Sequence, residues 1–137
     1  MKKIILVAVI LVASLASAQN VNLTVNTSGF RNNDGKVKVG LYNAEAKFLK
    51  ETYLGITSEI QDLKATVQFK DLPAGEYAVS IYHDEDNDGK LKTGVFGIPK
   101  EDTACSNNAK GKMGPPKYAD AKFTITKDTT IAVILNN

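Results

Sequence analysis

The residues most able to do chemistry form one run, Asp84-Glu85-Asp86-Asn87-Asp88-Gly89-Lys90-Leu91. It matches the first two-thirds of a D-x-D-x-D-G calcium loop, in which carboxylates at alternate positions converge on one hard cation because a glycine permits the sharp turn between them. Asp84, Asp86 and Asp88 are the expected ligands, with the Lys90 backbone carbonyl beside them and Leu91 as the anchor to the core. The pattern then breaks. Val95 stands where the final bidentate carboxylate belongs, and Lys92 brings a positive charge where an acid or a water would help. Calcium takes about 6–8 oxygens, so waters or the nearby Glu101 and Asp102 must complete the shell. A strand, not a helix, leads into the loop, which excludes an EF-hand. The affinity expected is that of extracellular modules, about 10⁻⁴–10⁻³ M. A solvated acidic turn, with Asp and Asn side chains bonded to their own backbone, accounts for the same residues without a metal.

His83, the only histidine, directly precedes this run and by strand parity faces the core. It reads as a packed residue pinning the loop; the competing role is general base or metal ligand. Cys105 is the only cysteine, so an intramolecular disulfide is impossible. With His83 and Asn107 it supplies the residue types of a cysteine hydrolase, yet no local signature of such enzymes surrounds it, and a free thiol is the expectation. Ser106, Asn107 and Asn108 are expected to join His83 as polar groups lining the loop base and meeting a ligand. No Gly-rich phosphate loop or paired-cysteine zinc pattern appears. Lys90, Lys92, Lys100, Lys110, Lys112, Lys117, Lys122 and Lys127 follow the acidic run, giving a bipolar surface suited to anionic polysaccharide or headgroups, or simply a solvated face.

The elements that must position these groups are strands. Val21, Leu23 and Val25 alternate with polar residues, and Val37, Val39 and Leu41 do the same, so the first two strands are expected to pair as a hairpin across the turn chemistry of residues 29–35. Residues 44–50 allow one helical turn. Residues 53–56 make a short strand, and Ala65, Val67 and Phe69 mark a clearer one. Leu72-Pro73-Ala74-Gly75-Glu76-Tyr77 is spaced like the tyrosine corner of Greek-key sandwiches and launches a strand with Tyr77, Val79, Ile81 and His83 on one face. Strands at 121–126 and 130–136 close the chain, the last apolar enough to be expected in a sheet centre. Residues 84–120 form a long ordered loop, in which Val95, Phe96, Ile98, Met113 and Tyr118 are expected to pack. The fold class is therefore all-β: an antiparallel β-sandwich of about seven strands, Ig-like or prealbumin-like, with one long ordered loop.

The acidic run with His83, then Gly97-Ile98-Pro99-Lys100-Glu101, Ser106-Asn107-Asn108-Ala109 and Gly114-Pro115-Pro116-Lys117-Tyr118-Ala119-Asp120-Ala121, resembles the bacterial family known as domain of unknown function (DUF) 2141. Gly29-Phe30-Arg31-Asn32, Gly35-Lys36-Val37-Lys38-Val39 and the Leu72…Tyr77 turn extend the likeness over residues 19–137. The resemblance implies an exported β-sandwich and names no activity. Two departures matter: Lys92 stands where the family pattern tends to have an acid, and Ala104-Cys105 replaces a Gly-aromatic pair, which argues against a shared catalytic cysteine.

Lys2 and Lys3, the apolar run 4–13 and the small residues around Ala16 and Ala18 predict a cleavable signal peptide, residues 1–18, cut after Ala18. The run is too short for a transmembrane helix, which needs about 20 apolar residues. Residues 19–137 are then a single β-sandwich domain, periplasmic or secreted and expected to be a monomer. Removing Lys2 and Lys3 takes the formal charge of +2 to zero, which gives nucleic-acid binding no support. The expected function is a non-catalytic binding or structural module of the cell envelope, with an envelope protein or polysaccharide as partner and weakly held calcium as cofactor. The alternative is a secreted hydrolase using His83 with Asp84 or Cys105.

Overall fold

Strand β1 (Asn20–Ser28) buries Val21, Leu23 and Val25 and turns the residues between them outward, as the two-residue period of an extended chain requires. In the computed structural model, which describes residues 19–135, β1 is the middle of a three-stranded sheet. On one side it pairs antiparallel with β4 (Lys64–Pro73), and on the other it runs parallel to β8 (Thr129–Ile134). The second sheet is ordered β3 (Leu54–Glu59), β2 (Lys36–Tyr42), β5 (Gly75–Asp84), β6 (Thr103–Cys105). A short β7 (Phe123–Ile125) pairs with the start of β5. Leu23, Val25 and Phe69 of the first sheet meet Val39, Leu41, Val79 and Ile81 of the second in one apolar core, which makes the fold a β-sandwich.

Alternation gives β2 and β5 a second face, where Tyr42, Ala78 and Cys105 pack with Phe48, Tyr118 and Ala121. The cover comes from a 3-10 turn (Glu45–Lys47) and the single helical turn α1 (Tyr118–Ala121). The tyrosine corner is present: the Tyr77 hydroxyl donates to the Pro73 carbonyl at 2.6 Å, fixing the chain as it passes from one sheet to the other. Burial is the main cause that raises the pKa of this phenol, with Tyr53 adding to it.

Several expectations need correcting. β1 and β2 do not form a hairpin; they belong to different sheets, and residues 29–35 are the crossover between them. The apolar last strand lies at an edge, with Ile134 half exposed, and its pairing with β1 is parallel. Among the described residues there are eight strands, against about seven expected, because β6 rises out of the stretch expected to be loop. Of the five loop residues expected to pack, only Tyr118 is buried, while Val95, Phe96, Ile98 and Met113 stand in solvent. The expected signal peptide lies outside the described residues. Among the described residues, no helix is long and apolar enough to cross a membrane.

Candidate metal centre

β5 pairs with β2 from Ala78 down to Asp84, which lies opposite Lys36, so the acidic run begins where the sheet ends. Asp84 is 1% exposed, and its carboxylate accepts the Asp88 N–H at 3.2 Å and the Gly89 N–H at 2.9 Å. Asp86 accepts from Asp88 N–H at 3.4 Å, and Asp88 accepts from Lys90 N–H at 2.8 Å. These bonds curl the loop inward, helped by left-handed backbone at Asn87 and Gly89. The return strand brings Glu101, which accepts the Lys92 N–H at 3.0 Å.

Asp84, Asp86, Asp88 and Glu101 can each present an oxygen such that all four lie within 4.8 Å of one another. Two donors on opposite sides of a calcium ion stand about 4.6–5.2 Å apart, so one ion can reach all four. Lys90, whose backbone carbonyl is the expected ligand, bonds to Asp88 through its N–H.

Lys92 is the odd member. Its ammonium is paired directly with Asp86. The hydrogen bond from Lys92 is the main cause holding the Asp86 carboxyl below its usual range, and the same bond holds the Lys92 ammonium above its own. Any cation must therefore compete with an internal one. Replacing it, Lys92→Gln, is expected to tighten cation binding between about three- and tenfold by removing one like charge from the site. Terbium or calcium titration reads this, and an unchanged or weaker affinity would show that the lysine does not compete.

Support comes from groups that the sequence did not single out. The Tyr82 hydroxyl donates to the Gly89 carbonyl at 3.2 Å, strapping the loop to the sheet. Its pKa is raised, first by burial and then by the negative field of Asp84, Glu101 and Asp88. The crossover between sheets holds both ends of the loop, since Arg31 pairs with Asp102 at 2.8 Å and Asp34 receives the His83 ring. Asp34 contributes a carbonyl, which only accepts, so His83 Nε2 carries the proton and donates across 2.6 Å. His83 is fully buried, edge-on to Phe30 at 5.2 Å, and its Nδ1 has no hydrogen-bond partner.

The remaining expected residues are elsewhere. Ser106 is buried: its hydroxyl accepts the Val79 N–H at 2.9 Å and donates to the Ala121 carbonyl at 2.6 Å. Asn107 donates to the carbonyls of Lys122 and Asp120 at 2.8 and 3.3 Å. Both stitch backbone together, Ser106 from the interior and Asn107 from the surface, and Asn108 follows them in the same 3-10 turn. Cys105 lies on the outer face of the sheet and His83 on the core face, so they do not meet. Burial pushes the Cys105 thiol up, opposed by a hydrogen bond with Ser80, and a protonated thiol is a poor nucleophile.

The sequence model of one family, described as an uncharacterized protein conserved in bacteria (DUF2141), matches residues 25–132. That span includes the crossover, the acidic cluster and the stitching residues. No curated protein and no solved structure matches the chain.

Proposed function

From the premise that the chain belongs to the DUF2141 family, we propose that it is an exported, non-catalytic β-sandwich whose acidic loop holds calcium and shapes a binding surface in the cell envelope. The observation that carries this reading is the convergence of Asp84, Asp86, Asp88 and Glu101 within 4.8 Å. Four carboxylates brought so close repel one another, and a dication relieves that repulsion as the Lys92 ammonium alone does not. Oxygen-only donors of this kind suit a hard cation over zinc or copper. The basic, apolar start of the chain supports export into a compartment where a weak calcium site is filled.

On this reading, calcium completes its shell with water and ties the outgoing acidic run to the returning Glu101. Lysines beyond the loop give the partner, an envelope protein or polysaccharide, an anionic-seeking surface. His83 and Cys105 serve the fold in this account.

A thermal melt in calcium against chelator tests the site. Ligand at 100 times its dissociation constant adds about 2.7 kcal/mol, which moves the midpoint on the order of 8 °C in a domain of this size. The Asp86→Asn, Asp88→Asn double variant is expected to melt at one temperature in both buffers. A wild-type midpoint that ignores 10 mM calcium would end the metal reading.

A further inference from the structure

Between the acidic run and Glu101 the chain makes a small hairpin. Lys100 N–H bonds to the Lys92 carbonyl at 2.8 Å, Thr93 bridges Pro99, and Gly94 N–H bonds to the Ile98 carbonyl at 2.7 Å. At its tip Phe96 is 96% exposed, Val95 75% and Ile98 64%. Phe96 also adopts a φ of 61°, a conformation that bulky side chains rarely take. Three adjacent apolar side chains are thus held outward by a hydrogen-bonded stem, at a cost that the isolated protein does not recover.

We infer that this tip inserts into the interface of an anionic lipid bilayer. The tip is convex and carries three apolar side chains. A stable protein interface needs about 800 Å² from each partner, far more than such a tip offers, whereas a fluid apolar phase closes around any shape. Charge agrees with this assignment. Residues 89–100 contain Lys90, Lys92 and Lys100 and no acid; Lys92 is paired with Asp86, and Lys90 and Lys100 place a basic stem behind an apolar point, where lysine chains lie along the interface while their ammonium groups reach the headgroups.

The acidic cluster at the foot of the stem repels the same headgroups until a cation neutralises part of it. Glu101 belongs to that cluster and bonds the stem at Lys92, so an ion there also steadies the hairpin. This calcium dependence rests on the proposed metal site; the insertion itself does not.

Co-sedimentation with vesicles tests the assignment, using the chain from Gln19 onward because the apolar run 4–13 would bind lipid by itself. Removing residues 1–18 leaves every described strand in place. The wild type is expected to sediment with phosphatidylglycerol vesicles, more strongly in calcium than in chelator, and weakly with phosphatidylcholine. The Val95→Ser, Phe96→Ser double variant is expected to bind at least about tenfold more weakly, with unchanged terbium binding and melting temperature. Phe96→Trp is expected to shift its emission to the blue on mixing with vesicles. Absence of vesicle binding, a double variant that binds like wild type, or an unshifted Trp emission overturns the insertion. Self-association that the double variant abolishes, without vesicle binding, overturns it in favour of a second copy. Equal vesicle binding in calcium and chelator supports insertion and removes the metal from it, whereas terbium binding without vesicle binding does the reverse.

Discussion

Gly35→Ala is expected to leave little folded protein at 37 °C. Gly35 has a φ of +64°, and a Cβ added there would lie 1.9 Å from the Asp84 carbonyl oxygen and 2.7 Å from the Glu85 Cα. Both obstacles are backbone, so no side chain can rotate away. Either the crossover or the start of the acidic run must move, and moving either breaks the His83–Asp34 bond. The cost is placed above about 4 kcal/mol, the exceptional end of single substitutions, against a total stability of about 5–15 kcal/mol. Gly89→Ala is the control. Gly89 also has a positive φ, +75°, but nothing lies within 4 Å of its added Cβ, so only the left-handed penalty of about 1–2 kcal/mol applies. Circular-dichroism melts of the two variants decide the matter: similar midpoints would mean that the close approach at Gly35 does not constrain the fold.

Ser106→Ala should produce the second large effect. The edge of β5 away from β2 is shared: β7 pairs with Gly75–Tyr77 and β6 with Ser80–Tyr82, leaving Ala78 and Val79 without a strand partner on that edge. The Ser106 hydroxyl fills that gap, taking the Val79 N–H and giving its proton to Ala121. Alanine would bury an N–H with no acceptor and strip a carbonyl of its donor. Losses of this kind cost about 1–3 kcal/mol per orphaned group, so a total of about 2–6 kcal/mol and a midpoint lower by on the order of 10 °C or more are expected. Amide exchange at Val79 should accelerate with it. A change within about 0.5 kcal/mol, the range of ordinary surface substitutions, would show that water replaces the hydroxyl.

Ser106 also shows where sequence reasoning reaches its limit. A small polar residue beside a long loop looks the same whether it meets a ligand or caps a strand, and only the topology reveals the gap in β5 that it fills. Periodicity identified which side chains of β1, β2, β4 and β5 face inward, but it carries no information about which strand lies alongside. Residues 29–35 offered turn chemistry, and a crossover between sheets uses the same residues as a hairpin. The apolar run from Ile131 to Leu135 suggested a sheet centre, yet β8 is an edge strand.

The acidic site was legible because its aspartates are close in sequence and their spacing encodes the turn. Glu101 was reachable as the next acid along the chain, and the structure brings it to the other three. Its supports, Tyr82 of β5 and Arg31 and Asp34 of the crossover, come from two separate elements and left no local signal. The exposed hairpin tip ran against the general rule that apolar residues in an ordered loop pack inward, and such violations concentrate at functional surfaces.

The parallel pairing of β1 with β8 governs how this chain can acquire its shape. Leu23 sits beside Thr129, and the Asn22 amide is held by the Asp128 side chain, 106 positions away. The three-stranded sheet stays incomplete on one flank of its middle strand until β8 is available to pair. Long-range closure of this sort is slow, on the order of milliseconds to seconds in all-β domains. A polypeptide whose first strand waits for its eighth cannot complete its smaller sheet from any partial length of chain.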